Sequence, residues 1–308
     1  MTAMTTTAPL SLADLRASRR SNRFLLLTGW GLLALTLLAW LSGEFWDGIL
    51  KLVAPGRLIV LERFASDLVP RPWQAAGSGD MKEWLVSLLT VKALPGLWST
   101  LLFAFSSAAV AFVVSVVLAP WAARPFATPQ FMDVALPQPG LAVRAFWRAT
   151  YLLTRTLFML CRGLPEYLLT FFFIALWGPT GWAAIAALSI HNIGVMGRLY
   201  SELLENADRG ALQAQAVLGA GRMQVLVFGA APAAFGRGMA YWFYRWETCV
   251  RDSVTLGMLG ISSLGYWIMD ARVRDLYDEM FLLMLTSAAL VLAGEFASNR
   301  LRHRLRRM

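Results

Sequence analysis

The chain has 308 residues, of which 57% are hydrophobic and only 15% are charged, and its formal net charge is +9. So little charge cannot cover the surface of an ordinary soluble domain, which excludes a soluble globular protein. Nucleic-acid binding is not indicated either, because the arginines stand at the edges of apolar runs and do not alternate with exposed polar residues. The composition predicts an all-α, polytopic bundle of membrane-spanning helices.

The predicted spans follow from the length of the stretches with little or no charge. A hydrocarbon core of roughly 30 Å needs about 20 apolar residues per helix. No charge falls in Phe24–Leu41, between Lys92 and Arg124 or between Glu166 and Arg198, and six spans fit the charges, near residues 23–42, 96–120, 148–177, 181–200, 236–257 and 277–298. An even number of spans returns the chain to its starting side, and arginines flank both the first span and the last. Both termini are therefore expected in the cytoplasm.

This pattern divides the chain into four segments. Residues 1–22 form a cytoplasmic N-terminal segment, and residues 23–95 comprise the first span and an external segment of mixed charge. Residues 96–300 form the transmembrane domain, and residues 301–308 form a basic cytoplasmic tail. The domain contains a moderately polar loop, 205–232, that has no apolar run long enough to span and is expected to lie outside the bilayer.

The third predicted span carries charged side chains at a regular spacing. Arg148, Arg155 and Arg162 are seven residues apart, and Glu166 lies eighteen residues after Arg148. At about 3.6 residues per turn these four side chains share one face of a helix. A charge inside the bilayer costs on the order of 3 kcal/mol or more, so this face is expected to contact protein or water. Pro165 interrupts the helix at this point.

His191 lies in the fourth span, which a Gly-Pro-Thr-Gly turn at 178–181 joins to the third as a hairpin. A lone histidine in a span is more often a hydrogen-bonded packing residue than a proton carrier or a metal ligand. The sequence contains only one other histidine, His303, and two isolated cysteines. No metal site is predicted.

The loop 205–232 is predicted to form a short helix, a sharp turn and a second helix. An Ala-rich stretch runs to Leu218, Gly219 ends it as a C-cap residue, and a second helical stretch runs to Pro232. This pattern resembles the coupling loop of ABC-importer permeases, in which a Glu-Ala-Ala motif is followed by Gly and then Pro at fixed spacing. Gln213 and Gln215 stand where the motif has its Glu and its second Ala.

The resemblance implies that this loop docks into a cleft on an ATP-binding subunit. The residues that it assigns to the contact are Gln213, Ala214, Gln215, Gly219, Ala220 and Pro232. An accidental surface hairpin with the same spacing is the alternative, since Gly and Pro are common at turns.

The fifth span also carries charges. Glu247 and Arg251 are four residues apart and can pair along one helix face, with Arg245 and Asp252 nearby. Glycines at positions 257, 260 and 265 follow, so that the segment is expected to form a broken helix of the type that lines transport sites.

Three segments resemble the phosphonate-transporter permeases, and the likeness covers roughly residues 145 to 300. Residues 162–166 read Arg-Gly-Leu-Pro-Glu, residues 187–194 form a helix with His and Gly, and residues 244–253 contain Trp-Glu and Val-Arg-Asp-Ser. The chain departs from the family at Asp252, where a small neutral residue is usual, and in the run after it, where Ser262 and Ser263 interrupt the glycines.

We expect the charged residues to line the path of an anion, because arginine offers positive charge and a planar set of donors to an oxyanion. The candidates are Arg162, Glu166, His191, Glu247, Arg251 and Ser253. Arg162 and Arg251 would attract the anion, and Glu166 and Glu247 would hold the arginines in place. The alternative is that the ion pairs only lock helices together.

No phosphate-binding loop or hydrolase motif occurs in the sequence. The chain is therefore expected to be a transport subunit without an ATPase site or a cofactor of its own, and ATP and Mg²⁺ would be bound by a partner subunit. One rival hypothesis is an ion-coupled secondary transporter of a small anion with Glu166, Glu247 and His191 as carriers. Another is a membrane enzyme that uses Glu166 and Glu247 as acid and base.

The resemblance implies the type I ABC-importer permease fold and a location in the bacterial inner membrane. The expected substrate is a phosphonate or a related phosphorus oxyanion, namely phosphite, hypophosphite or phosphate. The expected partners are an ATP-binding subunit dimer, an external substrate-binding protein, a second copy of the permease and membrane lipid, with no nucleic acid.

Overall fold

The computed structural model describes residues 23–41, 43–53, 55–74, 78–129, 131 and 140–305, and every regular element in these ranges is a helix. The predicted N-terminal segment 1–22 and the last three residues of the predicted tail lie outside them. The chain divides into two compact units, Met1–Ser66 and Asp67–Met308. The segment boundaries predicted from the sequence stay predictions.

The first unit contains the helices α1 (Arg23–Leu41) and α2 (Gly43–Val53) and most of α3 (Pro55–Asp67). Helix α1 coincides with the first predicted span. From Leu26 to Leu41 it is apolar, and its large side chains are exposed around the whole circumference. A helix that is apolar on all sides requires an apolar environment. The apolar part of α1 is shorter than the stretches that are long enough to cross a membrane, so its prediction as a span stays a prediction.

The second unit contains the remaining helices, and a π-helical turn directly precedes two of them, α6 and α12. Helix α5 continues through the π turn Leu88–Ala93 into α6, and α11 continues through the π turn Leu226–Ala230 into α12. The helices are α4 (Arg71–Gln74), α5 (Ser78–Ser87), α6 (Leu94–Ala122), α7 (Leu141–Gly163), α8 (Glu166–Trp177), α9 (Gly181–Glu205), α10 (Arg209–Val217), α11 (Arg222–Val225), α12 (Ala231–Gly257), α13 (Leu264–Val273) and α14 (Tyr277–Leu305).

Two continuous helical stretches in the described residues are long and apolar enough to cross a membrane by themselves, Met81–Ala122 and Tyr277–Arg304. The pair α7 and α8 adds a third if it is counted as one span. Helices α9 and α12 have 25 and 27 residues, which is long enough, but they carry the charged and polar side chains discussed below. Five of the six predicted spans each fall within one helix over their described residues, the third is divided between α7 and α8, and the number of spans stays a prediction.

Helices α6 and α9 pack along each other, and small residues are buried on both. Ala111 of α6 and Ala183 and Ala187 of α9 are fully buried, and so are Ala104 and Ala108 of α6, which lie in a cluster with residues of α12. Small side chains let two helix backbones approach closely, which is the usual basis of helix association in a membrane. This pair forms the centre of the second unit, against which α7 and α12 pack.

The third predicted span is not one helix. Helices α7 and α8 meet at an angle of 87°, and Leu164 between them is extended. Pro165 causes the break, because it cannot donate the hydrogen bond that would continue α7. The predicted common face is therefore correct for the arginines of α7 and wrong for Glu166, which lies beyond the bend.

The predicted hairpin turn at 178–181 is confirmed. Helix α8 ends at Trp177 and α9 begins at Gly181, with Gly178 at a φ of +74°. The predicted break after the fifth span is confirmed as well. Helix α12 ends at Gly257, and the next helix begins only at Leu264.

Candidate functional site

The loop between α9 and α12 begins with the helix α10, which ends in a tight reversal at Gly219. The N–H of Gly219 donates to the carbonyl of Ala216 at 3.0 Å, and the N–H of Ala220 donates to the carbonyl of Gln215 at 3.1 Å. These two bonds form a Schellman motif, in which the residue at the position of Gly219 takes a positive φ, here +92°. The prediction that Gly219 ends this helix is confirmed.

The two halves of the loop pack against each other at Gly229. A Cβ atom on Gly229 would lie 2.7 Å from the Oε1 of Gln215 and 2.7 Å from a methyl carbon of Leu212. A larger residue at position 229 would therefore require the side chains of Gln215 and Leu212 to move. Gln215, which stands where the motif has Ala, is a packing residue between the halves, whereas Ala214 is exposed.

The second half of the loop does not end at Pro232, so that part of the sequence prediction is wrong. Helix α11 continues through the π turn into α12, and Pro232 occupies the first turn of α12. Proline has no N–H to donate, and Pro232 follows the π turn, in which a bond spanning five residues replaces the regular ladder of the α-helix. The second half of the loop and the fifth predicted span therefore form one continuous helical element.

The loop exposes a group of large apolar side chains. Val217, Leu218, Met223 and Phe228 are 71%, 88%, 68% and 77% exposed. Beneath them the loop has a buried core that includes Val225, so that these side chains stand on a folded support. We call these four exposed residues the apolar knob, and the side of the bundle on which they lie the loop side.

Arg222 connects this loop to the segment between α6 and α7, a contact that the sequence analysis missed. Its guanidinium donates to the carbonyls of Phe126 at 2.8 Å and Pro129 at 3.0 Å, and lies 3.9 Å from the ring centre of Trp147 in α7. Burial lowers the pKa of Arg222. The guanidinium is held by carbonyl oxygens and an aromatic face and has no carboxylate among its recorded contacts.

Arg155 of α7 contacts the ends of two other helices on the loop side. It donates to the carbonyl of Ala122 at 3.0 Å and forms an ion pair of 2.6 Å with Glu205. Glu205 also accepts the backbone N–H of Arg124 at 2.9 Å. These contacts tie α7 to the ends of α6 and α9, so Arg155 has a positioning role.

At the bend between α7 and α8, Glu166 faces His191 of α9. The Nδ1 of His191 lies 3.8 Å from a carboxylate oxygen of Glu166 and 3.1 Å from the carbonyl oxygen of Leu164. A protonated Nδ1 donates to that carbonyl, which the break in the helix leaves available. Within the described residues no ion pair of 4.0 Å or less joins Glu166 to Arg162, whose side chain is exposed.

Gly194 explains why this bend lies so close to α9. A Cβ atom on Gly194 would lie 2.4 Å from the backbone nitrogen of Arg162 and 2.6 Å from the carbonyl oxygen of Phe158. Any larger residue would push α7 away from α9. The close approach brings Glu166 and His191 together.

The predicted pair of Glu247 and Arg251 is present but long, at 3.9 Å. Glu247 is buried and also lies 3.5 Å from Arg302 of α14. Its carboxylate therefore joins α12 to α14 and is not part of the group around His191. The candidate residues of the sequence analysis accordingly fall into two separate groups.

Asp252 and Arg245 belong to the group around His191. Asp252 lies within electrostatic range of Glu166, His191, Arg245 and Arg251. The positions 245 and 252 are seven residues apart on α12 and so lie on the same helix face. We call Glu166, His191, Arg245 and Asp252 the central cluster. The sequence analysis noted both α12 charges but did not assign them to the site, although their spacing of seven was a usable signal.

Ser253 and the turn after α12 are tightly packed. Ser253 is buried, and its hydroxyl has no hydrogen-bond partner among the described residues. A Cβ atom on Gly265 would lie 1.8 Å from the carbonyl oxygen of Val254, and the N–H of Leu264 donates to the hydroxyl of Thr100 at 3.2 Å. These contacts fix the far end of α12 against α6.

A second group of charges lies near the beginnings of α6 and α14, on the side opposite the loop. Arg71 forms ion pairs with Asp278 at 3.0 Å and Glu279 at 2.6 Å, and Lys92 pairs with Glu279 at 2.5 Å. Burial lowers the pKa of Arg71, but the two carboxylates outweigh this effect and raise it above its ordinary value. We call these four residues the far cluster.

The long apolar helices, with a folded helical loop on one side and charges between the central helices, are typical of polytopic helical membrane proteins. This chain belongs to the family described as binding-protein-dependent transport system inner membrane component, which matches residues 140–307, more than half of the chain. The matched region contains the loop, the central cluster and the helices α7 to α14.

Curated relatives support the same family. The chain is 28% identical over 192 residues to the phosphite transport system permease protein PtxC of Stutzerimonas stutzeri, a match that covers 62% of this chain and 63% of the relative. It is 29% identical over 180 residues to the phosphate-import permease protein PhnE of Mycolicibacterium smegmatis, covering 58% of this chain and 30% of the relative. The chain thus spans less than two thirds of the length of these relatives.

Solved structures confirm the fold. An inward-facing structure of the MetNI methionine ABC transporter matches with a TM-score of 0.57 at 19% identity, over 70% of this chain and 97% of that one. An amino acid ABC transporter with histidines matches with a TM-score of 0.54 at 13% identity, over 73% and 97%. The predicted type I ABC-importer permease fold is confirmed.

Proposed function

We propose that this chain is the permease subunit of an ATP-driven importer that moves a phosphonate, phosphite, hypophosphite or phosphate ion into the cytoplasm. The family membership supports a transport role, and the names of the relatives support a phosphorus oxyanion as cargo. The charges between α8, α9 and α12 support an anion path through the bundle.

One observation carries the proposal, namely the continuity of the loop with α12. Helix α12 begins at the loop and runs without a break to the central cluster. From Ala231 to Arg245 the distance along the helix is about 21 Å at 1.5 Å per residue. A displacement of the loop would therefore be transmitted by a rigid element to the charges inside the bundle, as alternating access requires.

The apolar knob is proposed as the contact with the ATP-binding subunit. Its four large side chains are exposed although they rest on a folded core, which is typical of a surface that another protein covers. Gln213, Ala214, Gln215, Gly219, Ala220 and Pro232 shape this loop. ATP and Mg²⁺ would be bound by the partner, so that the loop side and both termini are proposed to lie in the cytoplasm.

The path of the anion is proposed to run along the central cluster. Glu166 and His191 line it from the bend of α8 and from α9, and Arg251 lines it from α12. Arg162 stands exposed at the end of α7, and Ser253 contributes a buried hydroxyl without a partner among the described residues. Glu247 is assigned to holding Arg251 and Arg302 in place.

We further propose that two copies of the chain form the permease. One external binding protein would deliver the anion, and an ATP-binding subunit dimer would bind both loops. The exposed apolar surfaces of α1 and α8 would face lipid, in keeping with a location in the inner membrane.

The proposal is tested by reconstituting the chain in proteoliposomes with its ATP-binding subunit and its binding protein. Phosphite uptake should require ATP on the side of the membrane that carries the ATP-binding subunit, and an uncoupler should not affect it. Uptake that an uncoupler abolishes and that proceeds without the ATP-binding subunit would instead support the ion-coupled transporter.

A further inference from the structure

Arg245 is held inside the bundle by a neutral side chain. Its Nε donates to the Oδ1 of Asn192 at 2.7 Å, and one of its Nη groups donates to the same oxygen. Asn192 lies on α9 and is fully buried. One edge of the guanidinium is therefore fixed in position without being neutralised.

The orientation of Asn192 follows from its other contacts. Its Nδ2 donates to the carbonyl of Leu188 at 2.7 Å and contacts the sulfur of Cys249 at 3.2 Å. Both hydrogens of the amide are thus used, and the oxygen accepts from Arg245. A flipped amide would direct its hydrogens at a guanidinium, which has only donors, so the observed orientation is the favourable one.

The guanidinium has a second edge, formed by its two Nη groups, which offers parallel N–H donors. Within the described part of the chain, Arg245 has no ion pair of 4.0 Å or less and no hydrogen bond apart from those to Asn192. The carboxylate of Asp252 is within electrostatic range but is not bonded to Arg245. A fixed cation with free donors in a membrane protein is costly unless water or an anion compensates it.

We infer that Arg245, positioned by Asn192, is the residue that binds the transported oxyanion within the membrane. The free edge suits a tetrahedral anion that presents two oxygens, because such an anion accepts two parallel N–H bonds. Asp252 acts as the competing carboxylate that balances the charge of Arg245 when the anion leaves. This inference rests on the proposed function and names the binding residue of that path.

The arrangement differs from that of the other arginines near the path. Arg251 has Glu247 as a partner, and Arg302 shares the same carboxylate. Arg162 lies exposed at the end of α7. Only Arg245, among these arginines, combines partial burial, a rigid attachment and an unused donor edge.

The test compares Arg245→Gln, Arg245→Lys and the control Arg237→Gln, which removes an exposed arginine from an earlier turn of the same helix. Each variant is reconstituted with the ATP-binding subunit and the binding protein, and phosphite uptake is measured per assembled complex. Loss of a charge-assisted pair should raise the KM for phosphite by about 10-fold to 100-fold in Arg245→Gln. The KM of Arg245→Lys should lie between those of the wild type and Arg245→Gln, because lysine keeps the charge but lacks the planar pair of donors of arginine. The KM of Arg237→Gln should match that of the wild type.

A purely structural role for Arg245 predicts a different result. Arg245→Gln would then lower the yield and the melting temperature, yet the assembled fraction would take up phosphite with the wild-type KM, and this outcome would overturn the inference. Asn192→Asp provides a second measurement. It keeps a side chain of the same shape but pairs Arg245 with a carboxylate, so phosphite uptake should fall while Arg245 stays attached.

Failure of the proposed function gives a separate result. If the wild-type complex takes up neither phosphite nor phosphate while its binding protein and ATP-binding subunit are assembled, the proposed function fails. If the wild type transports phosphite and the Arg245 and Asn192 variants do so with unchanged KM, only the inference fails.

Discussion

The far cluster and the central cluster contain similar side chains in opposite arrangements. In the far cluster each carboxylate contacts a cation at 2.5 to 3.0 Å. In the central cluster, among the described residues, Asp252 lies in electrostatic range of Arg245 without bonding to it, and the nearest approach of two ionisable groups is 3.8 Å between His191 and Glu166. Saturated charges stabilise a fixed structure, whereas unsaturated ones are available for a ligand. The far cluster therefore has the character of a structural contact between helices, and the central cluster has that of a binding site.

The largest expected effect on stability comes from the far cluster. Asp278 is 2% exposed, and Asp278→Ala would leave Arg71 without two hydrogen bonds. We expect a loss of about 2 to 3 kcal/mol, below the value for a fully buried pair because the side chain of Arg71 is 49% exposed. Thermal unfolding in mild detergent measures this loss in the free energy of unfolding. The exposed helix pair Arg198 and Glu202 provides the control, since Glu202→Gln should cost about 0.3 to 0.5 kcal/mol.

In the central cluster, Asp252→Asn should act on transport and not on stability. Asp252 has no ion pair of 4.0 Å or less within the described residues, so its removal breaks no bond there. Without the competing carboxylate Arg245 should hold phosphite more tightly, with a KM lower by about tenfold and slower release. Uptake kinetics of the reconstituted complex check this result. An unchanged KM together with a large drop in melting temperature would show that Asp252 has a structural role, like the residues of the far cluster.

Arg222→Gln tests a charge that is saturated by carbonyl groups. Two hydrogen bonds and the contact with Trp147 would be lost, so the loop would no longer be tied to α7. We expect ATP hydrolysis to continue while phosphite uptake per ATP falls about fivefold, since each such bond contributes about 1 to 3 kcal/mol. Arg209→Gln, at the exposed beginning of α10, is the matched control. Equal coupling ratios in the two variants would exclude a transmitting role.

The smallest change in stability is expected for Arg251→Gln. Its pair with Glu247 is long, its side chain is 57% exposed, and Glu247 retains Arg302. The free energy of unfolding should change by less than about 0.5 kcal/mol. Phosphite uptake should still fall about threefold, because a cation near the path also attracts the anion. If the assembled variant transports at the wild-type rate, Arg251 does not line the path.

Most of the apolar helices were predictable from the sequence because they depend on local features, whereas the helices α2 to α5 were not predicted. Apolar runs, the Gly-Pro turn at 178–181 and the reversal at Gly219 all involve neighbouring residues. The pair of Glu247 and Arg251 was predictable for the same reason, since both lie on one helix four residues apart.

The contacts between helices were not predictable in this way. Asn192 and Arg245 are 53 residues apart, and their pairing depends on how α9 packs on α12. The bend at Pro165 was expected only as an interruption, because its angle of 87° depends on the packing of α7 against α9 at Gly194. The far cluster likewise joins Arg71 to Asp278 over 207 residues.

The two π turns have a mechanical consequence. Each lies just before a helix whose second residue is a proline, Pro95 in α6 and Pro232 in α12, and each is closed by a bond that spans five residues, from Leu94 to Leu89 and from Ala231 to Leu226. A π turn contains one more residue than an α turn. Its conversion to α geometry would rotate the following helix by about 100° and shift it by about 1.5 Å. Such a conversion in the π turn before Pro232 would rotate the face of α12 that carries Arg245 away from α9.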